Sequence, residues 1–224
     1  MKLAILTAVL DDFDTIVDPV KQFLHNPTIE YDFIRITDKE FPPIKGLTPR
    51  FQYRIPKYFG WQMYPGYDYY LWLDGGVSLT SDKSLAYFYN RCLDRDMVVF
   101  KHPWRNSIAE EVQHIDDYLN RKSGTKKGQD YLIRRYENGL HKEQLKDIQY
   151  DTDYMDDHLY ASTAFMYRDS ERVRDAFRNL FLHQARYFTC DQLAFTYCIK
   201  DLDIRELDED VFKNEYIGRV SNHD

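Results

Sequence analysis

The sequence predicts an α/β fold in which helices flank a mostly parallel central sheet. Residues 3–10 form a near-continuous apolar run, which is typical of a strand buried on both faces. A segment with helical periodicity, 15–24, separates this run from a second strand pattern at 31–37. This order of strand, helix and strand indicates a parallel pair joined by a right-handed crossover. A third apolar run, 67–73, ends abruptly at Asp74.

The remaining elements are predicted from the same patterns. The proline-rich segment 41–49 is predicted to be a loop, followed by a helix at 50–61 and a strand at 69–73. Later helices are predicted at 84–93, 107–121, 130–137, 170–187 and 191–199, and later strands at 97–101 and 158–167. Residues 206–224 are predicted to be irregular. Because no repeat or linker interrupts the chain, residues 1–224 are predicted to form a single domain.

Composition argues against several classes of protein. A chain of 224 residues can bury a sizeable core without disulfides, and its formal charge of −7 argues against a nucleic-acid partner, which favours a basic surface. The three cysteines are scattered and lack a C-x-x-C spacing, so we expect a reducing compartment, the cytoplasm. No segment approaches the length that spans a bilayer. The aromatic share of 16% suits a surface that binds sugars, although core packing uses the same residues.

Asp74 is the first candidate for a functional residue. It follows a buried strand and precedes Gly75 and Gly76, which break that strand. A carboxylate at the carboxyl end of a central strand is well placed to hold a metal or to contact a ligand. The competing interpretation is structural, because Asp-Gly is a common signal for a short hairpin turn.

Four further clusters carry chemistry that is dispersed along the chain, and each also has a structural interpretation. Arg54 and Lys57 can face a phosphate or form a solvated pair, and the segment 102–106 (HPWRN) can reach a ligand or simply pack a corner between strand and helix. Asp191 is either a catalytic acid or a helix N-cap. His223, near the end of the sequence, is a candidate ligand or a solvent-facing residue.

Other segments add little chemistry. The segment 121–129 (RKSGTKKGQ) is either a mobile solvated loop or a lid. The chain has no glycine-rich dinucleotide loop, Walker loop, H-E-x-x-H or G-x-S-x-G sequence. Any chemistry must therefore come from residues that the fold brings together.

In order, the motifs R-x-P-K, YDYYLWLDG, KHPWRNSIAEE and CDQLAF, followed by a late histidine, resemble a glycosyltransferase-like family first described as a domain of unknown function. That family has plant mucilage-related and microbial members, and the resemblance spans 54–195. It implies a single GT-A, Rossmann-like domain. A more distant similarity is to the glycogenin-like transferases.

The resemblance implies a role for each matching residue. Asp74 is the expected metal-site acid, while Gly76 stands where an Asp-x-Asp motif has its second acid. A divalent Mn or Mg would be held by Asp74, His223 and the diphosphate of the donor. The expected nucleotide-sugar-binding residues are Thr7, Ala8, Val9, Arg54, Lys57, Asp74, Gly75, His102 and Arg105.

The implied reaction is a hexosyltransferase-like transfer of sugar from a nucleoside diphosphate donor, with UDP favoured, to an acceptor hydroxyl on a glycan or protein. The metal and the basic residues would stabilise the departing diphosphate. In an inverting enzyme Asp191 is the first candidate for the base, and Asp156 or Asp157 the second. In a retaining enzyme Asp191 or Gln192 would stabilise the oxocarbenium-like centre. The glycogenin-like similarity favours retention.

Two further classes of function are compatible with parts of the sequence. The lone Asp74 is compatible with a sugar- or nucleotide-binding protein, or a scaffold, that has the same fold but no catalysis. A nucleotidyltransferase or a sugar-nucleotide hydrolase is disfavoured, because the usual N-terminal loop with glycines and a lysine is missing.

Overall fold

The computed structural model describes residues 1–11, 14–120 and 136–220. Its strands are β1 (Lys2–Ala8), β2 (Glu30–Ile36), β3 (Tyr69–Leu73), β4 (Val77–Leu79), β5 (Met97–Lys101), β6 (Tyr160–Arg168), β7 (Ile204–Leu207) and β8 (Ile217–Arg219). Six of these strands form a central sheet in the order β2-β1-β3-β6-β5-β7. Only β6 runs antiparallel to its neighbours among the strands of this sheet, so the predicted mostly parallel α/β sheet is confirmed.

The helices are α1 (Pro49–Gln52), α2 (Arg54–Met63), α3 (Ser84–Cys92), α4 (Ile108–Asn120), α5 (Leu140–Gln149), α6 (Glu171–Tyr187) and α7 (Phe195–Cys198). A single 3-10 turn, Asp191–Leu193, precedes α7. The Ser170 side chain accepts a hydrogen bond from the Val173 N–H and caps α6, the helix predicted at 170–187. No helix in the described ranges is both long and apolar enough to cross a membrane.

Apolar clusters cover both faces of the sheet. One face packs against α3 through Leu85 and Phe88, and the other packs against α2 and α6 through Tyr58 and Phe177. Trp72 lies on the face of the sheet that carries α2. Since alternate residues of a strand point to the same face, Asp74, two positions later, lies on that face too. The carboxyl ends of β1, β3 and β5 meet at one edge of the sheet, and this edge holds the candidate site.

The register of β6 shifts at this edge. Val99 of β5 pairs with Phe165, whereas the next residue, Phe100, pairs with Ala161. The residues of β6 between these two pairs have no partner on β5, and Thr163 among them lines the cleft described below. A bulge next to a ligand site commonly re-aims side chains towards it.

One predicted helix is wrong. The segment 15–24 forms neither helix nor strand, and its Val20 and Phe23 N–H groups donate to the carbonyls of Leu79 and Asp82. Pro19 lies in the middle of the segment, where it removes a helical hydrogen bond and restricts the preceding residue to extended conformations. Apolar spacing alone therefore suggested a helix that the backbone does not form.

The tail and the turn after β3 also differ from expectation. Within 206–224, predicted to be irregular, β8 pairs antiparallel with β4, and the end of β7 pairs with β5. Because β4 pairs with β8 rather than with β3, the hairpin interpretation of Asp74 is wrong, although the Val77 N–H does donate to the Asp74 carbonyl in a tight turn.

The predicted helix 191–199 is interrupted at Ala194. The predicted helix 130–137 falls mostly outside the described residues.

Candidate functional site

A cleft of about 480 Å³ opens at the carboxyl edge of the sheet. Its walls come from the ends of β1 and β3, from α2, and from the 3-10 turn after α6. The charged side chains at its base are Arg54, Lys57, Asp74 and Asp191. Residues from distant parts of the chain therefore converge on one concave surface, which is typical of ligand sites in α/β proteins.

The Asp74 carboxylate is fixed by three donors on one oxygen. Its Oδ1 accepts hydrogen bonds from the Tyr53 hydroxyl at 2.8 Å, the Lys57 ammonium at 2.9 Å and the Trp72 indole N–H at 2.8 Å. Trp72 reaches it because residues two apart on a strand share a face. The Asp74 side chain nevertheless remains 31% exposed. The carboxylate is therefore held in one orientation while part of it faces the cleft.

Lys57 connects the two acids of the cleft. Its side chain is 1% exposed, and its Nζ lies 2.9 Å from Asp74 Oδ1 and 2.6 Å from Asp191 Oδ2. Burial acts to lower the pKa of Lys57, but the carboxylates of Asp191 and Asp74 outweigh burial and raise it. Lys57 is therefore a permanent ammonium ion shared between two carboxylates.

The two carboxyl groups respond differently to this ammonium. Burial acts to raise the pKa of Asp191, but Lys57 and the Arg54 guanidinium outweigh it and hold the pKa well below its usual range. Burial also raises the pKa of Asp74, and the nearby Asp191 charge adds to that rise against the opposing effect of Lys57. Asp191 is therefore firmly ionised. The ionised form of Asp74, in contrast, would be stabilised by any further positive charge that enters the cleft.

Arg54 is held by the backbone at the base of the cleft. Its side chain is 4% exposed, and its Nη2 donates to the Thr189 carbonyl at 2.5 Å. Arg54 and Lys57 lie three positions apart on α2, so they share one face of the helix. The first turn of α2 thus presents two buried cations to the cleft.

Of the predicted residues at the end of β1, Ala8 lines the cleft. Thr7 and Val9 instead line a small adjacent cavity, because alternate residues of an extended segment point to opposite sides. Gly75 lies so close to β1 that a Cβ on it would approach the Ala8 carbonyl oxygen to 2.8 Å. Gly75 therefore permits the turn after β3 to pack against the end of β1.

His102 and Arg105 are not among the residues that line the cleft. The His102 Nδ1 accepts from the N–H groups of Trp104 and Arg105, at 3.3 and 3.2 Å, and Arg105 pairs with Glu111. Burial lowers the pKa of His102 to about 4, with contributions from the charges of Arg105 and His114. The imidazole is therefore neutral at pH 7 and organises the corner between β5 and α4.

Three of the predicted catalytic candidates also lie away from the cleft lining. Asp156 accepts from the N–H groups of Ile108 and Ala109 at 2.7 and 2.8 Å, and so caps α4. Asp157 is exposed and pairs with His158. The Gln192 amide donates to the backbone carbonyl of Tyr160. His223 and the loop 121–129 fall outside the described residues.

Sequence reasoning missed several residues of the site. Tyr53 and Trp72 are not predicted as site residues, although the first adjoins Arg54 and the second lies two residues before Asp74 on the same strand. Phe212 and Arg219 line the cleft from the tail, which carries no periodic pattern. The remaining lining residues that sequence analysis does not name are Leu10, Asp14, Pro49, Arg50, Val77, Thr163 and Cys190.

The described residues do not complete a metal site by themselves. Within 1–11, 14–120 and 136–220, no three His, Cys, Asp or Glu side chains are grouped so that they could hold a metal ion. Asp74 Oδ1 is already occupied by three donors, so Asp74 can offer mainly its other oxygen. Any resident ion would need most of its ligands from the donor or from residues outside these ranges.

A mostly parallel α/β sheet with acids and buried cations converging at its carboxyl edge defines the class of α/β domains that bind ligands, nucleotides among them, at that edge. Comparison with protein families agrees with this class. Residues 45–223 match the family model of the TOD1/MUCI70, glycosyltransferase-like domain, and the chain belongs to that family. The match extends beyond 54–195 and confirms the resemblance found in the sequence. No curated protein matches the chain.

Proposed function

We propose that this protein transfers a sugar from a nucleoside diphosphate sugar, with a UDP-sugar favoured, to a hydroxyl group of a glycan or protein acceptor. The observation that carries this proposal is the Lys57 ammonium held between the Asp74 and Asp191 carboxylates at the carboxyl edge of the sheet. Nucleotides commonly bind at this edge in α/β folds. Membership of a glycosyltransferase-like family supports the transferase class.

In this proposal Arg54 and Lys57 stabilise the departing diphosphate. Both cations are buried, and their protein partners fix them before the donor arrives. Charges that need no reorganisation during the reaction stabilise a transition state most effectively. An ammonium ion has three N–H donors, and two of those of Lys57 are directed at carboxylates, which leaves one for a phosphate oxygen.

The ionisation of Asp191 supports one of its two predicted roles. A carboxylate with a strongly lowered pKa is a weak base, so it removes a proton from an acceptor hydroxyl poorly. The same fixed negative charge stabilises a positive centre that develops beside it. We therefore propose that Asp191 stabilises the oxocarbenium-like sugar, which corresponds to the retaining outcome favoured by the glycogenin-like similarity.

A divalent ion, Mn or Mg, belongs to the proposal only as an accessory to the donor. Asp74 would supply one carboxylate oxygen, and the diphosphate and His223 would supply further ligands. Burial raises the pKa of Asp74, so a cation that enters the cleft would stabilise the ionised form of its carboxylate. Such an ion would neutralise charge on the diphosphate. The roles of Lys57, Arg54 and Asp191 given above do not depend on it.

The second candidate is a sugar- or nucleotide-binding protein without catalysis. Two features of the cleft favour this candidate. Gly76 occupies the position of the second acid, and Lys57 already neutralises much of the charge of the remaining acids. In such a protein the cleft would bind the donor and release it unchanged.

UDP release separates these candidates. The protein is incubated with UDP-glucose, UDP-galactose, UDP-xylose and UDP-N-acetylglucosamine as donors and with cellohexaose, mannohexaose, xylohexaose and maltohexaose as acceptors. Each mixture is tested with Mn, with Mg and with a chelator. We expect release with one of these donors, reduced about 100-fold or more by Asp74→Asn and by Lys57→Met. The control Asp157→Asn changes an exposed carboxylate outside the cleft and should retain the rate.

The outcomes are distinct. Release that continues at the wild-type rate in both cleft variants contradicts the proposed site. Thermal stabilisation by a UDP-sugar without any release of UDP favours the binding protein. Loss of UDP release in the presence of the chelator supports a requirement for the divalent ion. UDP release that the chelator does not change contradicts that requirement.

A further inference from the structure

Trp104 is an exposed aromatic side chain of the HPWRN segment that the donor site does not explain. It follows β5, so it lies at the same edge of the sheet as Asp74. Its side chain is 61% exposed. A single exposed apolar residue normally needs no explanation. Trp104 differs because the structure holds it in place and connects it to the cleft.

The indole of Trp104 stacks on Phe212. The ring centroids are 5.8 Å apart and the planes are inclined by 16°. Phe212 also contacts Arg219, whose Cζ lies 4.1 Å from the ring centroid. Since Phe212 and Arg219 both line the cleft, the stack forms a continuous wall from the donor cleft to the exposed indole.

The corner between β5 and α4 fixes this indole from the other side. The backbone N–H of Trp104 donates to His102 Nδ1, and the imidazole lies edge-on to the indole, with the ring centroids 5.7 Å apart. Arg105, whose Cζ is 5.9 Å from the Trp104 ring, is itself tied to Glu111. His102 and Arg105, which do not line the cleft, therefore act as positioning residues for Trp104.

We propose that Trp104, supported by Phe212, is an acceptor subsite on which one sugar ring of a glycan stacks. This inference deepens the proposed function and rests on it. One face of a pyranose ring presents C–H groups, while its rim carries hydroxyls. A rigid aromatic ring with few torsions buries such a face at a low entropic cost.

The small area of the surface formed by Trp104 and Phe212 favours a glycan rather than a protein as the acceptor. The platform consists of two stacked rings, of which only Trp104 is among the strongly exposed apolar residues. A specific protein partner needs about 1,200 Å² or more of buried surface, whereas one sugar ring needs only one aromatic face. The path along Phe212 and Arg219 then leads the glycan end into the cleft that holds Lys57 and Asp191.

Indole NMR signals test the subsite directly. The chain has three tryptophans, so a protein labelled with ¹⁵N at tryptophan gives a simple spectrum, and Trp104→Phe assigns the Trp104 signal. The probes are cellohexaose, mannohexaose, xylohexaose and maltohexaose, each titrated in the presence of UDP. We expect at least one of them to shift the Trp104 signal. Trp104→Ala should weaken that binding about tenfold or more, about 1.4 kcal/mol, while Trp104→Tyr retains most of it.

Two comparisons keep the test decisive. Tyr150→Ala removes another aromatic ring, which is 83% exposed and is not among the residues that line the cleft, and should leave oligosaccharide binding unchanged. UDP affinity, measured on the same samples, should be equal in the wild type and in Trp104→Ala, which also shows that the variant is folded. The subsite is overturned if none of the probes moves the Trp104 signal, or if Trp104→Ala binds them as the Tyr150→Ala control does.

These results are separable from the donor test. UDP binding without any response at Trp104 overturns the acceptor subsite and leaves the donor site in place. A Trp104 response without UDP binding or UDP release overturns the transferase proposal and leaves a glycan-binding surface.

Discussion

The Lys57 ammonium lies 2.6 Å from the Asp191 carboxylate, although 134 positions separate the two residues in the chain. This contact joins the first turn of α2 to the 3-10 turn after α6. Because Lys57 is buried and also contacts Asp74, the same ammonium determines the geometry of both acids. The site is therefore one coupled unit rather than a set of independent residues.

Lys57→Met should destabilise the protein as well as inactivate it. Removal of the ammonium leaves two carboxylates facing each other at the base of the cleft. Loss of one partner of a buried ion pair costs about 3 kcal/mol or more. Urea unfolding followed by fluorescence measures the loss. Because Lys57 neutralises Asp191, the double variant Lys57→Met with Asp191→Asn should be more stable than Lys57→Met alone. Equal stability of the single and the double variant would contradict this interaction.

Trp72→Phe tests the hydrogen bond that orients Asp74. The change keeps an aromatic ring in the core but removes the indole N–H that donates to Asp74 Oδ1. We expect a loss of about 1 kcal/mol in unfolding free energy and a clear fall in the rate of UDP release. Trp61→Phe is the matched control, because its indole N–H donates to the Tyr58 carbonyl instead. Equal rates in the two variants would show that the orientation of Asp74 does not matter.

His102 should make the corner around Trp104 sensitive to acid. Burial lowers its pKa from 6.5 to about 4, so the folded protein binds this proton less readily than the unfolded chain. The neutral imidazole thus contributes stability that is fully present above pH 6.5 and is lost as the pH falls through about 4. Protonation also removes the acceptor of the Trp104 and Arg105 N–H groups.

Urea unfolding at several pH values, with the environment of Trp104 read from its indole signal, measures both effects. We expect His102→Asn to lose part of its stability at pH 7 and to show a flatter dependence between pH 6.5 and 4. A variant whose pH dependence parallels that of the wild type would contradict the role given to His102.

Gly75→Ala should disturb the base of the cleft. A Cβ at this position would lie 2.8 Å from the Ala8 backbone oxygen, which cannot move without shifting β1. Such overpacking costs about 1–3 kcal/mol. In Gly218→Ala the closest contact is 2.9 Å from the Thr80 Cγ2, which belongs to a side chain, so a smaller loss of stability is expected. Thermal unfolding compares the two, and an equal or larger loss in Gly218→Ala would contradict the assigned contact.

The base of the cleft could be predicted largely from local patterns. Asp74 is recognisable because a buried strand stops at it, and Lys57 and Asp191 because their motifs occur in a specific order. Trp72 is also within reach, since alternation along β3 places it on the face of Asp74. Each of these residues can be recognised from the sequence alone, by a strand end, by the order of the motifs or by alternation along a strand.

The rim of the cleft could not be predicted in this way. β8 has three residues, and it is a strand because it pairs with distant β4 rather than because of its own composition. Phe212 and Arg219 therefore carry no sequence signal. The prediction for segment 15–24 failed for a different reason. Its apolar spacing indicated a helix, whereas Pro19 within the segment is a local signal against one. Only the distant backbone partners, Leu79 and Asp82, could not be read from the sequence. His102 and Arg105 are recognisable as a motif, but only their contacts show that they support Trp104.

The pairing of β4 with β8 has a practical consequence for work on this protein. It fastens the chain just before residue 220 beside the turn that carries Asp74, and Arg219 there lines the cleft. A fluorescent protein or affinity tag fused directly behind β8 would stand at the entrance of the cleft and hinder large acceptors more than small donors. Labels are better placed at exposed Met1, where the chain enters β1 at the opposite edge of the sheet.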